Sequence, residues 1–191
     1  MAVFERSEYL ARIARAKARM EAAGLDVLVA ADPANINYLT GYDGWSFYVH
    51  QFAVLALDAE EPLWVGRAMD APGARLTAFV KPENIVPYPE PYVDSATLHP
   101  AQFLAERIAG LGHANARIGV DLDAFYFTAK SYLELAAALP NARLVDAKGL
   151  VNWVRLVKSP AEVELMRGAA AIVGKAMEAG MAAIEPGVRE C

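Results

Sequence analysis

Apolar residues along this chain alternate between helical spacing and short continuous runs, which predicts helices and strands in turn. Ser7 is a suitable N-cap for the first helix, and Gly24 is the residue type that most often follows a helix end. The predicted helices cover residues 7–23, 35–40, 69–78, 100–111, 128–139, 150–157 and 159–185. The predicted strands cover residues 25–30, 52–57, 62–65, 84–86, 117–121 and 143–146.

Strands that alternate with helices in this way form a sheet covered by helices. Strands 52–57 and 62–65 flank the short polar turn 58–61, which predicts an antiparallel hairpin inside that sheet. We therefore predict an α/β fold, a three-layer domain in which helices flank a mixed β-sheet.

The clearest boundary of the chain lies at Ser159. Ser159, Pro160 and Glu162 form a capping box with proline at the first helical position, and a long helix with an apolar stripe follows. We predict one domain over residues 1–158 and the beginning of another over residues 159–191. The alternative is that the stripe packs back onto residues 1–158.

Composition excludes several classes of function. The 191 residues are 55% hydrophobic with a net charge of −5, which fits a globular protein and argues against nucleic acid as a partner. The one cysteine is Cys191, so no disulfide can form within the chain and a reducing cytoplasm is expected. No apolar run approaches the roughly 20 residues of a membrane-spanning helix, so we expect a soluble, cytoplasmic protein without a membrane partner.

Three histidines, His50, His99 and His113, are the first candidates for metal ligands. None has another histidine or a cysteine at helical or turn spacing, as a hydrolytic metal site requires. His99 precedes Pro100, so it is expected to cap a helix at the surface, and His113 is expected in an exposed loop. We therefore predict no metal ligand and no catalytic residue in this chain.

Asp121 and Asp123 follow a predicted strand and invite comparison with the Asp-x-Asp pair of haloacid dehalogenase-like phosphatases. That pattern needs Thr or Val two residues later, where this chain has Phe125, so the phosphatase interpretation is disfavoured. No nucleophile elbow and no phosphate-binding glycine loop occurs either.

Residues 41–51 concentrate four aromatic side chains and one imidazole among two glycines. Aromatic loops are costly to leave in water unless they line a pocket or an interface. We predict a recognition loop that presents Trp45, Tyr48 and His50 to a ligand. The alternative is that these rings fold back onto the core.

Two segments resemble a known family. Residues 35–41, Asn-Ile-Asn-Tyr-Leu-Thr-Gly, are similar to a segment of creatinase, prolidase and aminopeptidase P amino-terminal domains. Residues 155–163, from Arg155 through Lys158 to Val163, resemble the junction that leads into the pita-bread catalytic domain of that family. Within the family, residues 41–48, 66–71 and 88–93 are most similar to the ectoine hydrolase branch.

The resemblance implies a creatinase amino-terminal domain of ribonuclease H-like topology over 1–158, and the linker and first helix of a truncated catalytic domain over 159–191. The parent would hydrolyse C–N bonds in ectoine, creatine or Xaa-Pro peptides, and this fragment alone would be inactive. A divalent metal pair (Mn, Zn or Co), if the parent uses one, would lie beyond Cys191, and this fragment would hold no cofactor.

The resemblance also implies partners. The domain would contact its own catalytic domain, form a homodimer and help to gate a small-molecule substrate. Tyr48 and His50 stand where creatinase-like members place an aromatic and an arginine, and the loss of that cation disfavours creatine. The alternative of another class is a free-standing small-molecule binding or dimerisation module, which would have no catalytic residues following Cys191 in its reading frame.

Overall fold

The structure, a computed structural model, describes residues 2–189, so Cys191 lies outside the described residues. The helices are α1 (Arg6–Ala22), α2 (Pro33–Thr40), α3 (Ala71–Thr77), α4 (Pro100–Gly110), α5 (Ala129–Ala138), α6 (Leu150–Leu156) and α7 (Pro160–Ala182). The strands are β1 (Val27–Ala30), β2 (Phe52–Ala56), β3 (Leu63–Arg67), β4 (Ile85–Tyr88), β5 (Arg117–Val120) and β6 (Arg143–Asp146). Single 3₁₀ turns occupy Ala68–Asp70, Pro82–Asn84 and Glu90–Tyr92.

One six-stranded sheet in the order β4-β3-β2-β1-β5-β6 organises the chain. The pairs β1–β2 and β2–β3 are antiparallel, and the pairs β1–β5, β3–β4 and β5–β6 are parallel. The predicted mixed sheet and its hairpin are therefore confirmed. Because only β2 runs against the others, the carboxyl ends of the remaining five strands share one edge with the beginning of β2. Ligands of open α/β sheets bind outside such an edge.

Two apolar clusters lie on opposite faces of the sheet and make the predicted layers. Side chains alternate along β1, so that Leu28 belongs to one cluster and Val27 and Val29 to the other. The first cluster includes residues of α1, α2, α3 and α6, and the second includes residues of α4 and α5. The α/β fold with flanking helices is thus confirmed.

Two local predictions need correction. Helix α1 begins at Arg6 behind Glu5, so Ser7 lies inside the first turn and is not the N-cap. The single helix expected at 69–78 is a 3₁₀ turn followed by α3, whose first turn contains Pro72. Proline fixes a helical φ and needs no hydrogen-bond acceptor in the first turn, so it favours a new start there.

The chain divides into two compact units, Met1–Leu156 and Val157–Cys191. In the second unit the Ser159 hydroxyl accepts from the Glu162 amide at 3.2 Å, and the Glu162 carboxylate accepts from the Ser159 amide at 2.8 Å. This capping box confirms the predicted start of α7, whereas its assignment to a further domain stays a prediction. Among the described helices, none combines the length and apolar character needed to cross a membrane.

Candidate functional site

The connection between α2 and β2 crosses the edge of the sheet at which five strands end. Its first residue, Gly41, adopts a φ of 77° and closes α2 by donating its amide to the Asn37 carbonyl. A positive φ costs glycine little, which explains this residue at the helix end. The loop that leaves Gly41 contains the predicted ligand-binding residues Trp45, Tyr48 and His50.

Side chains close the base of this loop. Tyr42 is buried, and its hydroxyl oxygen accepts a hydrogen bond from Gln51 Nε2 at 3.2 Å. Gln51 Nε2 also donates to Asp70 Oδ2 at 3.0 Å. A Cβ atom on Gly44 would lie 2.2 Å from the Tyr42 hydroxyl oxygen, so only glycine allows the chain to pass there. Residues 43–48 therefore form a short loop whose two ends are fixed.

A hydrogen bond from Trp45 joins the tip of the loop to a neighbouring loop. Trp45 is 59% exposed, yet its Nε1–H donates to the hydroxyl oxygen of Tyr126 at 2.8 Å. The Trp45 ring also meets Phe47 edge to face, with ring centroids 5.8 Å apart. Tyr126 belongs to the connection between β5 and α5, so the tether joins two loops of the same sheet edge.

Tyr48 is 67% exposed and lies beside an ion pair. Arg67, the last residue of β3, donates through Nε to Glu90 Oε2 at 3.1 Å and pairs through Nη2 with Glu90 Oε1. The Glu90 carboxylate, and to a lesser extent the Tyr48 hydroxyl, raise the pKa of the Arg67 guanidinium. The two-pronged geometry fixes the guanidinium plane next to Tyr48.

His50 is half-buried and packs between two rings. Its ring stacks on Phe52 with centroids 6.1 Å apart, and lies 4.8 Å from the ring of His99. Burial lowers the pKa of His50, although a hydrogen bond with the Tyr126 backbone opposes this shift. The imidazole is therefore neutral near pH 7 and can donate or accept a hydrogen bond without carrying charge.

His99 caps α4 as predicted, because its Nδ1 accepts from the Ala101 amide at 3.1 Å. The prediction of a surface position is wrong, since only 7% of His99 is exposed. Helix α4 packs on the sheet with its N-terminus turned towards His50, a tertiary contact that the local pattern does not reveal. Burial, followed by the nearby His50, lowers the pKa of His99 to about 4.

Two clefts flank residues 46–51. The larger has a volume of about 380 Å³ and lies between this loop, the end of β1 and residues 125–128. The smaller has a volume of about 180 Å³ and lies between the loop, residues 92–95 and the start of α4. Tyr48 and His50 line both clefts, whereas Trp45 is tethered at the rim through Tyr126. That these three residues bind a ligand stays a prediction.

Phe125 and Tyr126 are lining residues that the sequence analysis missed. Their rings meet edge to face with centroids 5.3 Å apart. The sequence signal that could have identified them is the run Phe125-Tyr126-Phe127 just after a strand end. Only Phe125 of this run entered the prediction, as a reason to disfavour a phosphatase.

Carboxylates gather at the same sheet edge. The Asp32 Oδ1 atom caps α2 by accepting from the Ala34 and Asn35 amides at 3.0 and 3.1 Å. Burial raises the pKa of Asp121, a hydrogen bond with the Asp123 backbone opposes this shift, and the charges of Asp146, Asp123 and Asp32 add to it. Within residues 2–189, no group of three or more His, Cys, Asp or Glu side chains is placed to hold a metal ion.

The chain is similar in sequence to several known proteins. The sequence model of the Creatinase/Prolidase N-terminal domain matches residues 12–157. The chain is 46% identical to an ectoine hydrolase of Halomonas elongata over 97% of this chain and 46% of that protein. It is 44% identical to an uncharacterised hydrolase/peptidase of Sinorhizobium fredii over 98% of this chain and 48% of that protein. It is 29% identical to a creatinase of a Bacillus species over 98% of this chain and 43% of that protein.

Solved structures show the same fold. A Xaa-Pro dipeptidase from Bacillus anthracis superposes with a TM-score of 0.73 at 21% identity, over 95% of this chain and 45% of that one. The N-terminal domain of a cytoplasmic peptidase from Mycobacterium tuberculosis gives 0.58 at 24% identity, over 76% of this chain and 98% of that one. The chain thus spans about half the length of the curated relatives it matches.

Proposed function

This chain belongs to the family of creatinase and prolidase N-terminal domains, and from that premise we propose that it is the non-catalytic half of a C–N bond hydrolase of the ectoine hydrolase type. The observation that carries the proposal is the match of residues 12–157 to the N-terminal domain alone. The 46% identity to an ectoine hydrolase, over nearly all of this chain, supports the choice of substrate.

Substrate gating is the role we propose for the loop 43–48. Its base is closed by Tyr42, Gln51 and Asp70, while its tip is held by side-chain hydrogen bonds, from Trp45 to Tyr126 and between Arg67 and Tyr48. A segment with fixed ends that is held only by side-chain hydrogen bonds can open without disturbing the sheet. Tyr48 and His50 would then meet a substrate that enters along the lined clefts.

Partners and cofactors follow from the same proposal. The loop would serve a catalytic domain that follows this chain, in a cytoplasmic homodimer to which the present domain contributes contacts. A divalent metal pair, where the parent uses one, would be bound by that following domain. Creatine is disfavoured because creatinase-like members place an arginine where this chain has His50, which is neutral near pH 7.

A free-standing small-molecule binding or dimerisation module is the second candidate. It is favoured by the unit Met1–Leu156, which buries apolar clusters on both faces of its own sheet. Such a module would bind a ligand in the lined clefts but would not turn it over.

Turnover of a longer protein, in which these 191 residues are followed by the rest of their natural reading frame, decides between the two candidates. We expect the ring of ectoine to be opened with a kcat/KM at least ~10²-fold above that for creatine or a Xaa-Pro dipeptide. A site whose polar groups hydrogen-bond ectoine would leave some of these groups unpaired with the other two substrates. The matched control is the 191-residue chain, which should show no turnover. Hydrolysis by this control, or a reading frame without further residues, would overturn the proposal.

A further inference from the structure

We propose that the larger cleft is a binding site for a small organic cation, received by the aromatic side chains of Phe47, Tyr48, Phe125 and Tyr126. The identification of this cation with the substrate rests on the proposed function, whereas the binding itself does not.

The lining carries no fixed charge. It consists of aromatic and small side chains with hydroxyl and amide groups: Ala31, Pro33, Ser46, Phe47, Tyr48, Val49, His50, Gln51, Phe125, Tyr126 and Thr128. His50, its titratable histidine, has a pKa lowered by burial and is neutral near pH 7. An anionic ligand would therefore find no lysine, arginine or imidazolium in this lining.

Carboxylates stand next to the lining residues along the chain. Asp32 lies between the lining residues Ala31 and Pro33, and Asp121 and Asp123 precede Phe125 in the chain. These carboxylates are close enough for Asp123, Asp146 and Asp32 to raise the pKa of Asp121. A cation in the cleft would relieve this repulsion, so electrostatics favours a positive ligand.

The cation nearest to Tyr48 does not compensate these charges. Arg67 is paired with Glu90 through two contacts, which neutralise its charge, and neither residue occurs in the lining of the larger cleft. The smaller cleft is different, because its lining contains the Asp94 carboxylate and the Lys130 ammonium lies near its other lining residue His99. Opposite charges at that cleft favour no one ligand class.

The aromatic rings supply the attraction. Phe47 and Phe125 are both more than half exposed, and Tyr126 is fixed by the hydrogen bond from Trp45. The negative faces of such rings attract a cation with about 0.5–1 kcal/mol each at exposed sites. At about 380 Å³ the cleft is large enough for a compact ligand.

Titration of the 191-residue chain with tetramethylammonium chloride tests the site, with the NMR signal of the Trp45 indole N–H as the readout. Neutral tert-butanol, which has nearly the same shape, is the control ligand, and sodium chloride controls for ionic strength. We expect a saturable shift with tetramethylammonium and none of comparable size with the two controls. A missing shift, or equal binding of tert-butanol, would overturn the proposal.

Two variants locate the site. Phe125→Leu removes a ring that is 78% exposed and should weaken tetramethylammonium binding about 3- to 5-fold. Trp153→Leu removes an exposed ring of α6 outside either cleft and should leave binding unchanged. Equal effects of the two variants would contradict the assignment. The titration with tetramethylammonium does not measure turnover, so a failure to bind this cation leaves the hydrolase proposal standing. An inactive longer protein, in turn, leaves the result of the titration unaffected.

Discussion

Arg155 donates through Nη1 to Oδ1 of Asn35 at 2.8 Å, a hydrogen bond between residues 120 positions apart in the sequence. Asn35 is 1% exposed, and its Nδ2 also donates to Asn152 Oδ1 at 2.6 Å. The bond thus ties α2 to α6. Asn35 and Arg155 are also the first residues of the two segments that carry the family resemblance, so these segments meet in the structure.

Asn35→Ala should destabilise the chain by about 1–3 kcal/mol, because it removes one partner from a buried hydrogen-bond network and leaves the others unpaired. Chemical denaturation measures this free energy of unfolding. Asn141→Ala, at an exposed position, is the control and should change it by less than about 0.5 kcal/mol. Similar values for the two variants would show that the network contributes little.

Trp45→Phe should loosen the loop without unfolding the chain. The phenyl ring keeps the aromatic contact but cannot donate the hydrogen bond to Tyr126, a bond worth about 0.5–1.5 kcal/mol net. Amide hydrogen exchange over residues 43–48 should therefore become about 2- to 10-fold faster. Trp153→Phe, which changes an exposed ring on α6, is the control. Unchanged exchange in the first variant would mean that this tether does not hold the loop.

Acid should destabilise the domain through His99. Its pKa is lowered to about 4 in the folded state, so between about pH 6.5 and 4 the unfolded chain binds more protons than the folded one. Stability is complete above this window and falls as the pH decreases, by up to about 1.4 kcal/mol per pH unit for one proton. His50 acts in the same direction, while Glu134 opposes the shift and Lys130 adds to it.

His99→Asn provides the matched variant for this pH dependence. Asparagine can cap α4 but does not titrate, so the slope of unfolding free energy against pH should become smaller by about one proton. The measurement is urea denaturation at intervals between pH 4 and pH 7. Parallel profiles for the parent and the variant would contradict the role of His99.

Features with a local cause could be predicted from the sequence. The capping box of Ser159 and Glu162 lies within four consecutive residues, and the hairpin of β2 and β3 needs only two strands and a polar turn. Alternation of helices and strands was sufficient for the α/β class. The aromatic loop was recognised because its composition, rather than its contacts, is unusual.

Features with a tertiary cause could not be predicted. His99 is buried because α4 packs beside His50, and Tyr126 became part of the site through a bond to Trp45 from 81 residues away. Arg12 is buried too, with its guanidinium 4.1 Å from the Phe4 ring centroid and 4.7 Å from that of Tyr38. Each of these contacts depends on how separate elements pack, which residue spacing along one element does not specify.

The most direct test of the account is the kcat/KM for ectoine of the longer protein carrying Tyr48→Ala. Tyr48 is 67% exposed, so its truncation should change the unfolding free energy by less than about 0.5 kcal/mol. If the loop meets the substrate, kcat/KM should fall at least ~10-fold at unchanged thermal stability, while Trp153→Ala stays at the parent value. An unchanged kcat/KM for Tyr48→Ala, or a loss that follows unfolding, would contradict the proposed gate.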